Sequence, residues 1–392
     1  AAWDGGQGFH FLLATMFLYE GLNVDNAYVL SPFDSRIQKY TMWTRYGSIF
    51  GEFGWELSET LSVKGGARLN YEEKEMNLFS QAVNPLFGTT IFTNTEKSQA
   101  DEFGPAGDLT LSYVPTTDVT FYLKYAHGWK GPHINGGISS PTAKTERSIL
   151  TPVKPEQIDS IELGLKSLWW DSRLKLNGAL FYYDYNDIQV FRLKNSSSGV
   201  PVNELINAQD ADILGAEMDV DLRPFENIGP EILGGFNVFA SFAWLDSHYT
   251  DFVNQVTSTQ TVGNTEVVTR ATLDYSGSQL INSPKFAFVG FAQWAVPTRY
   301  GTFTPRFDWS FKDDIYFSPE NSKLVGQPAL WLTNLRLTYQ SPGGTLEIAG
   351  WVENLTDQAY TLDVFNLARF RGSILYAIGD PRTYGATMRF KF

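Results

Sequence analysis

The chain closes on Tyr384-Gly385-Ala386-Thr387-Met388-Arg389-Phe390-Lys391-Phe392, a strict alternation. Side chains of an extended strand change face at every residue, so Tyr384, Ala386, Met388, Phe390 and Phe392 share one face. Gly385, Thr387, Arg389 and Lys391 share the other. One face is apolar and the opposite one is small, polar or cationic. Upstream, Leu61, Val63, Ala67, Leu69 and Tyr71 alternate in the same way with Ser62, Lys64, Gly66, Arg68 and Asn70. Val119, Phe121, Leu123 and Tyr125 alternate with Thr120, Tyr122, Lys124 and Ala126, and Leu346, Ile348 and Val352 with Glu347, Ala349 and Glu353. Such stretches predict about fourteen strands. They fall at roughly 7–20, 45–57, 61–74, 104–114, 119–128, 156–169, 174–187, 210–223, 234–249, 284–296, 301–311, 329–340, 346–354 and 384–392.

Composition agrees with a sheet that meets two solvents. Of 392 residues, 15% are aromatic and only 19% charged, against roughly 25% charged in soluble domains. No apolar run approaches the ~18 residues of a membrane-spanning helix. The mean hydropathy of -0.20 is the average of an apolar row and a polar row, so it does not exclude a membrane crossed by strands. Cysteine is absent, which rules out disulfides, thiolate metal sites and a cysteine nucleophile. The net charge of -13 argues against a nucleic-acid partner, which needs clustered Lys and Arg. The chain starts at Ala1 without the basic start and apolar core of a signal peptide, as expected of a processed chain or a piece of a longer one.

The connections alternate between short and long. Short ones are Ser58-Glu59-Thr60, Pro115 to Asp118, Trp170 to Arg173, Pro297 to Tyr300 and Ser341 to Thr345, with Pro224 to Leu233 somewhat longer. Long ones run at about 21–44, 75–103, 129–155, 188–209, 250–283, 312–328 and 355–383. All long loops at one end is the pattern of an outer-membrane barrel, with short periplasmic turns and long extracellular loops. Ten tilted residues rise about 23 Å, close to the height of the apolar band of such barrels. Trp55, Trp129, Trp169, Trp170, Trp244, Trp294, Tyr300 and Trp331 stand near strand ends, where aromatic girdles are expected.

Several segments resemble the TonB-dependent receptor family of Gram-negative outer-membrane transporters. Tyr125-Ala126-His127-Gly128-Trp129-Lys130-Gly131-Pro132 is similar to the end of one of that family's strands. Lys154-Pro155-Glu156-Gln157 through Ile161-Glu162-Leu163-Gly164-Leu165-Lys166 resembles its "K-P-E…E-x-G-x-K" segment, and Gly215-Ala216-Glu217 its "G-x-E". Val352-Glu353-Asn354-Leu355-Thr356-Asp357 with Tyr360, then Asp380-Pro381-Arg382-Thr383-Tyr384-Gly385, are similar to its closing motifs. The likeness covers about Tyr46 to Phe392.

The resemblance implies an all-β transmembrane antiparallel barrel, with these strands as the last fourteen or so of about 22. Nothing in the chain resembles the family's plug domain, so residues 1–392 read as a partial barrel domain of a longer protein. It implies a multi-pass place in the cell outer membrane and TonB-energised import of a scarce large solute, a ferric siderophore above all. It also implies as partners the inner-membrane TonB complex, reached through the missing N-terminal region, outer-membrane lipid and lipopolysaccharide, and the barrel-assembly machinery. That machinery would read Phe392 as an outer-membrane assembly signal. Cobalamin, haem or an oligosaccharide remain alternative cargoes, and a complete passive channel of about fourteen strands remains an alternative architecture.

The residues themselves support binding rather than catalysis. No Ser/His/Asp context, P-loop or HExxH stands out, and the spacing of His127 and His133 matches no metal motif, so no enzyme activity, cofactor or metal site is expected. Trp129, His133, Arg192, Tyr316, Arg369, Phe370 and Arg371 lie in or beside the long connections. They offer aromatic faces and cationic forks suited to an anionic, ring-bearing solute such as a ferric chelate. The 129–155 loop adds Lys130, Lys144, Arg147 and Lys154 against Glu146. Asn354, Thr356 and Asp357 suit a turn at a strand top. Lys166, Arg173, Lys175, Glu217, Asp219 and Asp221 are expected to point into the lumen.

Overall fold

A computed structural model describes residues 2–4, 8–31, 34–136, 150–195, 201–207, 210–262, 265–368 and 373–391. It begins with β1 (Ala2–Asp4), β2 (Phe9–Ser31), β3 (Asp34–Glu56), β4 (Leu61–Asn84), β5 (Thr89–Thr116) and β6 (Val119–Lys130). Then come β7 (Glu156–Trp169), β8 (Leu174–Asn186), β9 (Gln189–Asn195), β10 (Pro201–Asn207), β11 (Ala211–Leu222) and β12 (Phe236–Tyr249). Next are β13 (Val253–Val262), β14 (Thr265–Asp274), β15 (Phe286–Trp294), β16 (Val296–Thr298), β17 (Gly301–Lys312) and β18 (Ile315–Tyr316). The last are β19 (Gly326–Gln327), β20 (Leu330–Gln340), β21 (Leu346–Glu353), β22 (Thr361–Leu367), β23 (Ser373–Ile378) and β24 (Thr383–Phe390).

One antiparallel sheet takes the order β1-β2-β3-β4-β5-β6-β7-β8-β11-β12-β15-β17-β20-β21-β24, with β16 beside β17. Every strand expected from alternation is in it. The pairs β9–β10, β13–β14, β18–β19 and β22–β23 are separate hairpins or bridges at the long-connection end. The long connections are therefore mostly β structure. In two of them, 21–44 and 75–103, the sheet itself continues, since β2 pairs with β3 up to Ser31 and Asp34, and β4 with β5 up to Asn84 and Thr89.

Register turns alternation into two surfaces. On the outer one, Leu123, Leu163, Leu180, Ala216, Trp244 and Phe286 stand side by side across β6, β7, β8, β11, β12 and β15. Leu163 is 54% and Leu180 58% exposed, as are many neighbours on the same face. A continuous apolar belt of this kind exceeds what a water-facing surface carries and marks contact with lipid. Trp169, Trp170 and Tyr300 stand exposed at the short-turn ends, in the girdle position. Toward the long-connection end the belt stops at His127, Asp159, Asp184, Asp212 and His248, a lateral row across β6, β7, β8, β11 and β12. Asp159 there accepts hydrogen bonds from the Tyr125 hydroxyl at 2.5 Å and pairs with His127 Nδ1 at 2.9 Å.

The inner surface is polar. Lys166, Asn177, Asp219 and Ser241 form a row of it, and Asp221 lies opposite Lys175. Lys166 stands 5.6 Å from the Tyr122 ring, and the Tyr122 hydroxyl donates to Glu162 at 2.5 Å. Arg306 donates to both oxygens of Asp308 at 2.9 and 3.0 Å and lies 3.9 Å from the Phe291 ring. Arg173 sits in the β7–β8 turn, within the short connection read from the sequence, where its guanidinium donates to the Trp170 carbonyl at 2.7 Å. That turn has Trp170, Asp171 and Ser172 all in the left-handed region, and the arginine ties it shut.

Among the described residues, the two apolar core clusters lie at the long-connection end. Met42, Met76, Leu78, Ile134 and Leu150 form one, against the inner face of β3 and β4. Ala211, Tyr249, Phe252 and Tyr275 form another under the β13–β14 hairpin. Among the described residues no pairing joins β24 to β1 or β2, so the sheet keeps two free edges.

Candidate functional site

The segment after β6 turns back over the inner face of the long hairpins instead of reaching outward. Gly131 to Gly136 are largely buried there, with Ile134 fully enclosed in the core of Met42, Met76 and Leu78. Backbone groups taken from water need partners, and the hairpins supply them. Gln38 Nε2 donates to the Gly136 carbonyl at 2.7 Å, Lys74 Nζ to the Pro132 carbonyl at 2.9 Å, and Ser98 Oγ to the Leu150 carbonyl at 2.7 Å. His133 and Val153 form a two-way backbone bridge.

Glu156 is the polar anchor of this arrangement. It is only 8% exposed, and it accepts from Lys130 Nζ at 3.1 Å, the Tyr185 hydroxyl at 3.1 Å and the Gln189 amide at 2.9 Å. The Gln189 side chain donates to the carbonyls of Gly131 and Lys154, both at 2.9 Å. The two segments quoted above, the end of β6 and the start of β7, are thus locked together through one buried carboxylate. The closing motifs behave alike. Asn354, in the left-handed region, donates to the carbonyls of Gln358 and Asp380 at 2.8 and 3.2 Å, while its oxygen accepts from the Gln358 amide at 2.8 Å. Asp357 accepts from the Arg382 amide at 2.9 Å. These are the turn roles expected for Asn354 and Asp357, extended to a lock between the two motifs.

Trp129 and His133 both lie in this rim, near Glu72. Trp129 lies across Gly104 of β5: a Cβ there would stand 2.0 Å from the indole nitrogen, so only glycine admits the ring. The indole is half-buried beside Gly131 and Glu72, away from any lipid girdle. His133 is held below the ordinary histidine value near 6.5 by its burial, then by the nearby cations Lys74 and Lys130, with Glu72 opposing. Lys74 is paired with Glu72, and Lys154 stands 3.9 Å from Asp187. The rim thus presents a neutral imidazole and an indole edge among compensated charges.

The other candidates are not gathered here. Tyr316 belongs to β18, opposite Gly326 of β19, and its carbonyl accepts from the Asn282 amide at 3.0 Å. No hydrogen bond or ring contact among the described residues links it to Trp129 or His133. Arg192 lies on β9 opposite Glu204 of β10. Arg369, Phe370, Arg371 and Phe392, like Lys144, Glu146 and Arg147 of the 129–155 loop, lie outside the described residues. Inspection of residue types overlooked Glu156, Lys74, Gln189 and Tyr185. Glu156 alone carried a signal, since it sits inside a quoted motif.

A family model described as TonB dependent receptor-like, beta-barrel matches residues 3–355. Among solved structures, the ferric yersiniabactin uptake receptor FyuA from Yersinia pestis is similar with a TM-score of 0.74 at 20% identity, over 100% of this chain and 52% of that one. The siderophore receptor PiuA from Acinetobacter baumannii gives 0.64 at 13% identity, over 98% of this chain and 57% of the receptor. The copper transporter OprC gives 0.64 at 13% identity, over 98% and 59%. The chain thus spans a little over half the length of the solved receptors it matches, and at these identities the likeness speaks for the fold. The family match, the lipid-facing belt and the polar inner wall lead to one conclusion: the chain belongs to the TonB-dependent receptors, as part of an outer-membrane β-barrel.

Proposed function

We propose that this chain is the C-terminal part of a barrel of about 22 strands, in a receptor that imports a ferric siderophore with energy from the inner-membrane TonB complex. The observation that carries the reading is the rim: a segment folded inward and clamped by Glu156, with the Trp129 ring against Gly104 and Gly131 and His133 beside Lys74 and Lys130. Such a rim can hold a bulky, ring-bearing chelate by aromatic contact and hydrogen bonds. Arg192, Tyr316, Arg369, Phe370 and Arg371, on other long connections of the sequence, are assigned as further chelate contacts. The names of FyuA, a ferric yersiniabactin uptake receptor, and PiuA, a siderophore receptor, support the same class. The free edges, at β24 and along β2 beyond its short pairing with β1, support the larger barrel, because unpaired backbone groups in lipid cost several kcal/mol each. Plug, TonB contact and remaining strands are assigned to the rest of that longer protein, Phe392 to recognition by the barrel-assembly machinery, and no reaction is assigned to the chain.

Growth of a deletion strain under iron limitation, on a panel of defined ferric chelates, tests the cargo. Loss of growth on one chelate, restored by the full-length gene, is the expected result. Unchanged uptake of every ferric chelate removes the siderophore reading, and a copper-uptake defect in the same strain would replace it with a cargo like that in the name of OprC. A native protein with the mass of this chain alone, 44.1 kDa, would overturn the larger barrel and favour a passive channel.

A further inference from the structure

The inner face of the long hairpins changes character one step above the core that receives Ile134. Met42, Met76 and Leu78 are apolar there. The next inward row of the register is Asn26, Gln38, Ser80 and Asn94, across β2, β3, β4 and β5. It is polar throughout, yet Gln38 and Ser80 are each only 2% exposed. Three of its atoms, Gln38 Oε1, Ser80 Oγ and Asn94 Nδ2, are enclosed without a hydrogen-bond partner among the described residues. The Gln38 amide is oriented by its other end, since Nε2 donates to the Gly136 carbonyl at 2.7 Å. An acceptor, a hydroxyl and a donor thus stand side by side on three strands, all unused.

A buried polar group left unpaired costs more than an ordinary hydrogen bond returns, and such groups are few in folded proteins. Three in one row point to a second state in which water or another molecule completes them. The element that reaches the row is the 131–136 segment. Its middle is well seated: Ile134 is fully enclosed, the Pro132 carbonyl accepts from Lys74, and His133 bridges to Val153. Its ends touch the wall closely. A Cβ at Gly131 would stand 2.1 Å from Glu72 Oε2, and one at Gly136 2.6 Å from the Tyr40 ring. No residue of the segment belongs to the β2–β5 ladder, so it lies on the wall as a cover and can leave without breaking the sheet.

We infer that residues 131–136 form a lid that lifts from the Gln38–Ser80–Asn94 row, and that the three unpaired groups of the row bias it toward opening. Burial of Ile134 against Met42, Met76 and Leu78 holds the lid down, and the row opposes that hold. In the lifted state the row is open to water and its groups are satisfied. The sign of a substitution follows. An alanine in place of Ser80 removes a penalty from the closed state and gives nothing to the open one, so the lid closes more firmly.

Two readouts on the full-length receptor in nanodiscs test the lid independently of any cargo. Ser80→Ala should slow hydrogen exchange over residues 131–136 at least about fivefold, with heat-modifiable migration unchanged. Ser80→Cys should react with a soluble maleimide, more slowly than Thr95→Cys at an exposed position of β5, and faster once Leu78→Ala weakens the hold on the lid. Labelling of the unaltered receptor supplies the background. Exchange at the parental rate or faster in folded Ser80→Ala overturns the inference. So does a Ser80→Cys thiol that reacts as fast as Thr95→Cys, or one that Leu78→Ala leaves unchanged. Loss of the import reading in the chelate panel leaves both readouts standing, so the two failures are told apart.

Discussion

The β2–β5 wall and the β6–β8 wall start from the same alternation and end differently. Within the belt both place apolar residues outward and polar residues inward. Past it, β4 and β5 continue as one ladder to Asn84 and Thr89, whereas β6 stops at Lys130 and the chain folds inward. The difference lies in what covers the inner face. Met76 and Leu78 continue the inward positions of β4 as apolar residues and receive Ile134 and Leu150. The segment that leaves the short wall is therefore the cover of the long one.

The largest way to break this relation is to empty the shared core. Leu78→Ala in the full-length receptor is expected to cost about 2–5 kcal/mol locally. Hydrogen exchange should then show lost protection over residues 131–136, with heat-modifiable migration of the barrel kept. Protection equal to the parent would separate the two walls and sink the comparison.

A change in the belt should have the opposite distribution. Leu163→Arg is expected to cost about 2–4 kcal/mol if the side chain faces mid-membrane, and less toward an interface. The folded fraction in vesicles should fall while rim protection per folded molecule stays the same. A neutral outcome would mean that this face does not meet lipid.

The smallest effect belongs to His133, whose folded value is depressed by burial and by Lys74 and Lys130. Its unfolded counterpart takes up a proton first as pH falls below about 6.5. Stability of the inward fold is therefore present above that pH and declines as pH drops toward the folded value. Exchange of residues 131–136, corrected for intrinsic rates, should rise between neutral and mildly acidic pH, and His133→Gln should flatten the rise. A pH response that survives in the glutamine variant would place its source elsewhere.

The strands were legible because lipid on one side and a polar lumen on the other impose period two on any residue between them. The strand read at 61–74 runs in fact from Leu61 to Asn84, and that read at 104–114 from Thr89 to Thr116. Beyond the membrane the outward positions Asn77, Gln81, Thr93 and Thr95 are polar, and the contrast that marks a strand fades. The rim was half legible. Trp129 and His133 stood out by type, whereas Glu156 was only one letter of a quoted motif and their partners gave no sign. Gln189 reaches Glu156 across 33 residues, and Lys74 reaches Pro132 across 58. A glutamine or lysine in isolation gives no sign of such a contact.

By itself the sequence determined which residues face lipid, because a hydrocarbon solvent accepts the same residue types whatever lies elsewhere in the chain. Only the tertiary structure decided which long connections continue the sheet, where the 131–136 segment goes, and which motifs lock together. Each of those choices depends on a specific distant partner that desolvates an apolar residue or satisfies a backbone group. Many polar residues could have filled such a role, and only the assembled walls bring Glu156, Lys74 and Gln189 to the groups that need them.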